Sequence, residues 1–175
     1  MYHHLDAGKR MEEFIPMRVQ EARVASGPSG KLLQVESESD APSIAGVEIT
    51  QAQTFINERR VLVVSHNSHE PPGTLGYSVV LRPGCGVGDH YHHKREERIL
   101  ILHGQAEFRL QDCRPLSQSH ELINLFTLDY PGACVRIPAG VAHSIYAKSG
   151  IVVLQVLASD DYDPSDDVHV LLSTW

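Results

Sequence analysis

The sequence predicts an all-β domain, on three observations. From residue 44 onward the chain falls into short runs rich in Val, Ile, Leu and Tyr, most of them four to seven residues long. Connectors with strong turn chemistry separate them: HEPPGT, RPGCGVG, HGQ, DYPGA and PAGVA. The gaps leave no room for the crossover helices of a parallel α/β sheet. Many short strands at close turn spacing point to a sandwich or a barrel.

In order, the predicted strands are GVEIT (46–50), RRVLVVS (59–65), LGYSVVLR (75–82), HYHH (90–93) and ERILIL (97–102). AEFRL (106–110), NLFTL (124–128), CVRI (134–137), HSIYA (143–147) and IVVLQVL (151–157) follow. Each contains β-branched or aromatic residues, and Gly, Pro and Asp punctuate the stretches between them. The first 43 residues read as an N-terminal extension. KRMEEFIPMRVQEARV has helical character interrupted by Pro16, GPSGK and ESESDAPS are loose, and KLLQVE has the composition of one strand. Residues 44–175 then form the barrel domain. No repeat of solenoid length is visible.

At 175 residues the chain has the size of one domain and enough core to fold without staples. A formal charge of −7 argues against nucleic acid or a membrane surface as partner. No apolar run approaches a membrane span, and the N-terminus lacks the apolar core of a secretory signal. Cys85, Cys113 and Cys134 form no C-x-x-C pair and read as idle thiols of a cytoplasmic protein.

The informative stretch is GCGVGDHYHHKREERILILHG (84–104). Alternation along a strand puts His90 and His92 on one face, Tyr91 and His93 on the other. Lys94, Arg95 and Glu96 read as a charged turn. In the strand after it, Glu97, Ile99, Ile101 and His103 share a face. An antiparallel return of that strand onto HYHH would bring Glu97 beside the two histidines, half of a metal shell. Glu96 competes for the same role, its plainer reading being a solvent-exposed ion pair with Lys94 or Arg95. A fourth ligand is offered by His143, after the Pro138–Gly140 turn in PGACVRIPAGVAHSIYA.

These two stretches resemble the two cupin motifs. Gly84, His90, His92, Glu97 and Gly104 fill G-x5-H-x-H-x(3,4)-E-x6-G. Gly132, Pro138, Gly140 and His143 fill G-x5-P-x-G-x2-H-x3-N, with Ala147 in place of the Asn. The resemblance favours Glu97 over Glu96, because only Glu97 leaves six residues before Gly104. It implies a double-stranded β-helix, the small jelly roll, with His90, His92, Glu97 and His143 holding one divalent transition metal: Zn, Fe, Mn or Ni. Residues 72–167 are also similar to the C-terminal cupin domain of capsular polysaccharide assembling proteins, which acts on a nucleotide-sugar intermediate and carries zinc. PPGTLGY is similar to a segment of the sugar-nucleotide epimerase and ketoisomerase cupins. Cupins often dimerise through crossing N-terminal strands, so a homodimer is expected.

These resemblances imply epimerase or ketoisomerase chemistry on a carbohydrate or nucleotide-sugar, with the metal as Lewis acid. The alternatives are an Fe(II)-dependent dioxygenase and a non-catalytic small-molecule-binding module. No base stands out. His66 and His69 lie on a loop that can reach a barrel mouth, and His103 lies about 20 Å along the strand from Glu97. Arg82 and Arg136, read as strand residues near the motifs, are candidates for a diphosphate. Tyr77, Tyr91 and Tyr146 are candidates for stacking on a base or sugar. DDYDPSDD reads as a solvated acidic loop without calcium-site spacing.

Overall fold

The computed structural model describes residues 43–57, 59–66 and 75–172. Twelve strands are present among them: β1 Glu48–Gln51, β2 Thr54–Asn57, β3 Arg60–Val63, β4 Leu75–Leu81, β5 Cys85–His92, β6 Glu97–His103, β7 Ala106–Asp112, β8 Ile123–Leu128, β9 Ala133–Ile137, β10 Val141–Ala147, β11 Val152–Ala158 and β12 Asp167–His169. They form two five-stranded antiparallel sheets, ordered β1-β9-β6-β11-β4 and β12-β5-β10-β7-β8, with β2 and β3 as a separate hairpin. This is the double-stranded β-helix that the motifs imply.

The core lies between the two sheets and follows the period of two. On one side Ile99, Ile101, Val135 and Leu154 point inward, and on the other Phe108, Leu110 and Ile145. Phe108 and Phe126 stack with ring centroids 5.2 Å apart. Burying each such side chain contributes roughly 1.5–3 kcal/mol.

Several expectations are corrected. The histidine strand and the Glu97 strand do not form a hairpin. β5 pairs with β10 and β12, whereas β6 pairs with β9 and β11 in the facing sheet. The GCGVG stretch, read as a connector, is the first half of β5. Two further short strands, β2 and β12, escaped a reading based on apolar runs. Arg82 is an exposed residue just beyond β4 rather than within a strand. The N-terminal extension with KLLQVE, and His69, lie outside the described residues. Cys85, Cys113 and Cys134 are thiols, as expected. Among the described residues no helix is long and apolar enough to cross a membrane.

Candidate metal centre

A β-bulge aims the histidines. In the β5–β10 ladder Val87 opposes Ile145 and His90 opposes His143, with a register shift between His143 and Ser144. Asp89 is the extra residue, at φ 58°, and Gly88 before it has φ 103°. Before the bulge the odd positions of β5 share the face of Ile145. After it the even ones do, so His90 and His92 turn into the barrel. A Cβ at Gly88 would run into the carbonyl oxygen of His143, so glycine also permits the close approach of β5 and β10. Gly140 donates its N–H to His92 O at 2.7 Å and seats the head of β10 against the end of β5.

The segment from His93 to Glu96 carries the chain from one sheet to the other, and the 159–167 region fastens it. Asp166 accepts the N–H groups of Lys94 at 2.9 Å and Arg95 at 3.1 Å. The N–H of Glu96 donates to Ser159 Oγ at 3.0 Å. Glu97 thus starts β6 pointing inward, opposite Ile137 and Ala158 on its neighbouring strands.

The four residues of the motif meet. The imidazoles of His90, His92 and His143 place one nitrogen each within 4.8 Å of one another, a group able to hold a metal ion. Glu97 reaches across from the facing sheet, with Oε1 3.4 Å from His92 Nε2 and Oε2 3.4 Å from His143 Nε2. Glu97, His92 and His143 are buried. Metal–ligand distances of about 2.1 Å place neighbouring ligands about 3.0–3.5 Å apart, so these gaps suit a shared ion.

The tautomers fit too. His92 Nδ1 lies 2.8 Å from Asp167 Oδ1, and His143 Nδ1 lies 3.4 Å from the carbonyl of Val141. With a metal bound, Nδ1–H held by Asp167 and the Val141 carbonyl would leave each Nε2 lone pair free for the ion beside the Glu97 carboxylate. Two imidazole nitrogens and a carboxylate converging at this range suit a cation among them, so the donor set fits a metal.

The charges follow from this crowding. Burial, with His143 and His92 adding to it, pushes His90 down to about 4 and keeps it neutral. Burial alone would raise the Glu97 carboxyl, but the His143 and His92 contacts outweigh it and hold it well below the usual carboxylate range. Tyr77 donates its hydroxyl to Glu97 Oε1 at 3.2 Å. Partial burial and the Glu97 charge push that hydroxyl far above the ordinary tyrosine range.

Other residues singled out in the sequence lie apart. Glu96 is bound by Arg136, with Nε–Oε1 and Nη2–Oε2 both 2.7 Å, rather than by Lys94 or Arg95. Arg136 also meets Glu48 at 3.1 Å, on the face of β9 turned away from the core. His103 is exposed at the opposite end of β6 from Glu97, and His66 is exposed after β3. Tyr91 packs on His93, ring centroids 5.4 Å apart, on the outer side of β5.

Three residues near the centre were not singled out. Asp167 and His169 lie on β12, opposite His92 and His90, and the His169 ring is 6.2 Å from that of His90. The acidic tail is therefore partly built into the centre, which corrects its reading as solvated loop. The D-x-H alternation in DVH was the available signal. Arg95, taken for a turn cation, is buried. Its Nη2 lies 3.2 Å from His92 Nδ1 and 3.1 Å from His92 Nε2. An in-plane approach to both nitrogens would drive it into the carbon between them, so the guanidinium lies against the ring face. The same Nη2 donates to Asp167 Oδ1 at 3.1 Å.

Comparison with known proteins bears on the family and the fold. Residues 58–168 match the model of a family described as polysaccharide biosynthesis C-terminal domain. The TDP-4-oxo-6-deoxy-alpha-D-glucose-3,4-oxoisomerase of Aneurinibacillus thermoaerophilus is 33% identical over 82 residues, 47% of this chain and 54% of that protein. The match thus spans about half the length of that relative. Among solved structures, NovW, a 4-keto-6-deoxy sugar epimerase from the novobiocin biosynthetic gene cluster of Streptomyces spheroides, superposes with a TM-score of 0.67 at 19% identity, over 85% of this chain and 77% of that one. A dTDP sugar isomerase from Desulfovibrio desulfuricans gives 0.69 at 14% identity, over 75% and 87%. At these identities the likeness is one of fold.

Proposed function

This chain belongs to the polysaccharide biosynthesis C-terminal domain family, and from that premise we propose that it is a metal-dependent epimerase or ketoisomerase acting on a nucleotide-linked keto sugar. The observation that carries the reading is the meeting of three imidazoles from one sheet with Glu97 from the other. We assign metal ligation to His90, His92, Glu97 and His143, with zinc, iron, manganese or nickel as the ion. The names of the oxoisomerase and epimerase relatives support the substrate class. Nothing observed favours the dioxygenase or the non-catalytic reading.

Both reactions begin alike. The C–H bond beside the ketone breaks, its electron pair forms a C=C bond, and the carbonyl oxygen takes the charge. A metal held by His90, His92, Glu97 and His143 would supply Lewis acidity for that oxygen. Return of the proton to the opposite face gives the epimer. Its delivery to the former carbonyl carbon, with a hydroxyl proton moved between the oxygens, gives the isomeric ketone. His169, exposed beside His90, is the best-placed residue to carry the proton, ahead of His66 and His103. Asp167 and the Val141 carbonyl hold the His92 and His143 rings in place. Tyr77, held on Glu97, is the candidate contact for the sugar.

A cytoplasmic homodimer completes the reading. The unlinked thiols suit a reducing compartment. The edge strand β8 exposes Ile123 at 43% and Leu125 at 66%, apolar area that a second copy would cover.

The test is solvent exchange. A dTDP-linked 4-keto-6-deoxy sugar incubated in deuterium oxide takes up deuterium beside its ketone with the metal-loaded protein, and Glu97→Gln loses this activity. A substrate that stays unlabelled across a panel of such sugars contradicts the reading.

A further inference from the structure

Arg95 is the one buried Lys or Arg among the described residues, its side chain 5% exposed. Its Nη2 lies against His92 and donates to Asp167. Its Nε, shielded from solvent, has no hydrogen-bond partner, although it lies 3.5 Å from Glu97 Oε1. The guanidinium also sits 6.0 Å from the Tyr162 ring centroid, so an aromatic closes its outer side. An unpaired, desolvated N–H on a charged group is costly, and native structures keep few of them.

The charge balance is equally suggestive. A guanidinium beside a divalent cation repels it. Glu97 and Asp167 offset part of this. Among the groups in contact with the imidazoles, two carboxylates, one guanidinium and one divalent metal still leave one excess positive charge, Asp166 being engaged behind them by the N–H groups of Lys94 and Arg95. An anionic oxygen would neutralise that excess, and the unpaired Nε–H is the donor that would meet it.

We infer that the loaded centre takes a ligand with an anionic oxygen, and that Arg95 Nε–H donates to that oxygen. The inference rests on the metal reading above and deepens it. In the proposed reaction the oxygen is the ketone oxygen, which gains charge as the C–H pair moves in and loses it when the proton returns. Arg95 is then a catalytic residue, because it touches the atom on which charge develops. Arg136, tied to Glu96 and Glu48 on the outer face, has no such access.

The experiment uses the zinc-loaded, nitrogen-15-labelled chain of 175 residues and glycolate, whose neighbouring oxygens copy a hydroxy-ketone and which binds zinc too weakly to strip it. The Arg95 Nε–H resonance is identified by its absence from the Arg95→Lys spectrum, and zinc content is read on the same samples. Glycolate is expected to shift that resonance downfield saturably. Arg95→Lys, which keeps charge but lacks the Nε donor, is expected to bind glycolate about tenfold more weakly with zinc retained. An unmoved resonance in the zinc-loaded wild type overturns the inference and leaves the metal reading standing. So does equal glycolate affinity in a zinc-retaining Arg95→Lys. Wild type that takes up none of zinc, iron, manganese or nickel overturns both. If Arg95→Lys itself loses zinc, the wild-type resonance decides.

Discussion

His92 Nδ1 lies 2.8 Å from Asp167 Oδ1, across a strand pair in which the two residues directly oppose each other. The bond fixes both tautomer and ring plane, leaving Nε2 to face Glu97. Asp167→Asn keeps the shape and removes the charge. Metal affinity, measured by competition with a chelator, is expected to fall about 10–100-fold. An unchanged affinity would mean that Asp167 does not act through His92.

Gly88 has φ 103°, and a Cβ there would meet the His143 carbonyl. Gly88→Ala is expected to cost at least about 2 kcal/mol in chemical unfolding and to weaken metal uptake, since the same bulge aims His90. Gly150→Ala, where a Cβ meets nothing within 4 Å, serves as the control and should stay within about 0.5 kcal/mol.

The metal-free protein should lose stability in two acid windows. His90 sits at about 4 in the fold, against about 6.5 in an unfolded chain. Between those values the unfolded state binds the extra proton, so stability falls as pH falls. Asp112 comes next. Burial would raise its carboxyl, but bonds from Arg114, Ser117 and Ser119 hold it well below its ordinary range. Its contribution is present above about pH 4 and is lost as pH falls toward the folded value. Urea midpoints measured against pH should show His90→Ala flattening the upper window and Asp112→Asn reducing the lower one, which Glu97 shares. Asp112→Asn should also cost about 3 kcal/mol at neutral pH by leaving its partners unmatched.

Arg136 is bound by Glu96 and Glu48 on the outer face of its sheet. Arg136→Ala is expected to cost below about 1 kcal/mol and to leave the KM for a nucleotide-sugar unchanged. A marked rise in KM would restore it as a diphosphate ligand.

The proposed ligands, His90, His92, Glu97 and His143, were legible in the chain through its resemblance to the two motifs. How they meet was not. Alternation says that His90 and His92 share a face, but not which face, and the bulge at Asp89 decides that. Glycines in GCGVG look like a turn, yet β10 pairs along them, and Gly88 admits the His143 backbone. Arg95 and Asp167 meet over 72 residues, a contact no local pattern encodes. In the sequence Arg95 therefore reads as part of a charged turn and Asp167 as part of a solvated loop. Short strands such as DVH carry too few apolar residues to register.

The most direct measurement is the metal content of untagged protein, taken with Glu97→Gln and His92→Ala purified alongside. The account predicts about one divalent transition metal per chain in the wild type, from four protein ligands around one ion, and little in either variant. Wild type that stays metal-free after incubation with zinc, iron, manganese or nickel would contradict it. His90, His92 and Glu97 would then have to be explained as an acid–base cluster without an ion.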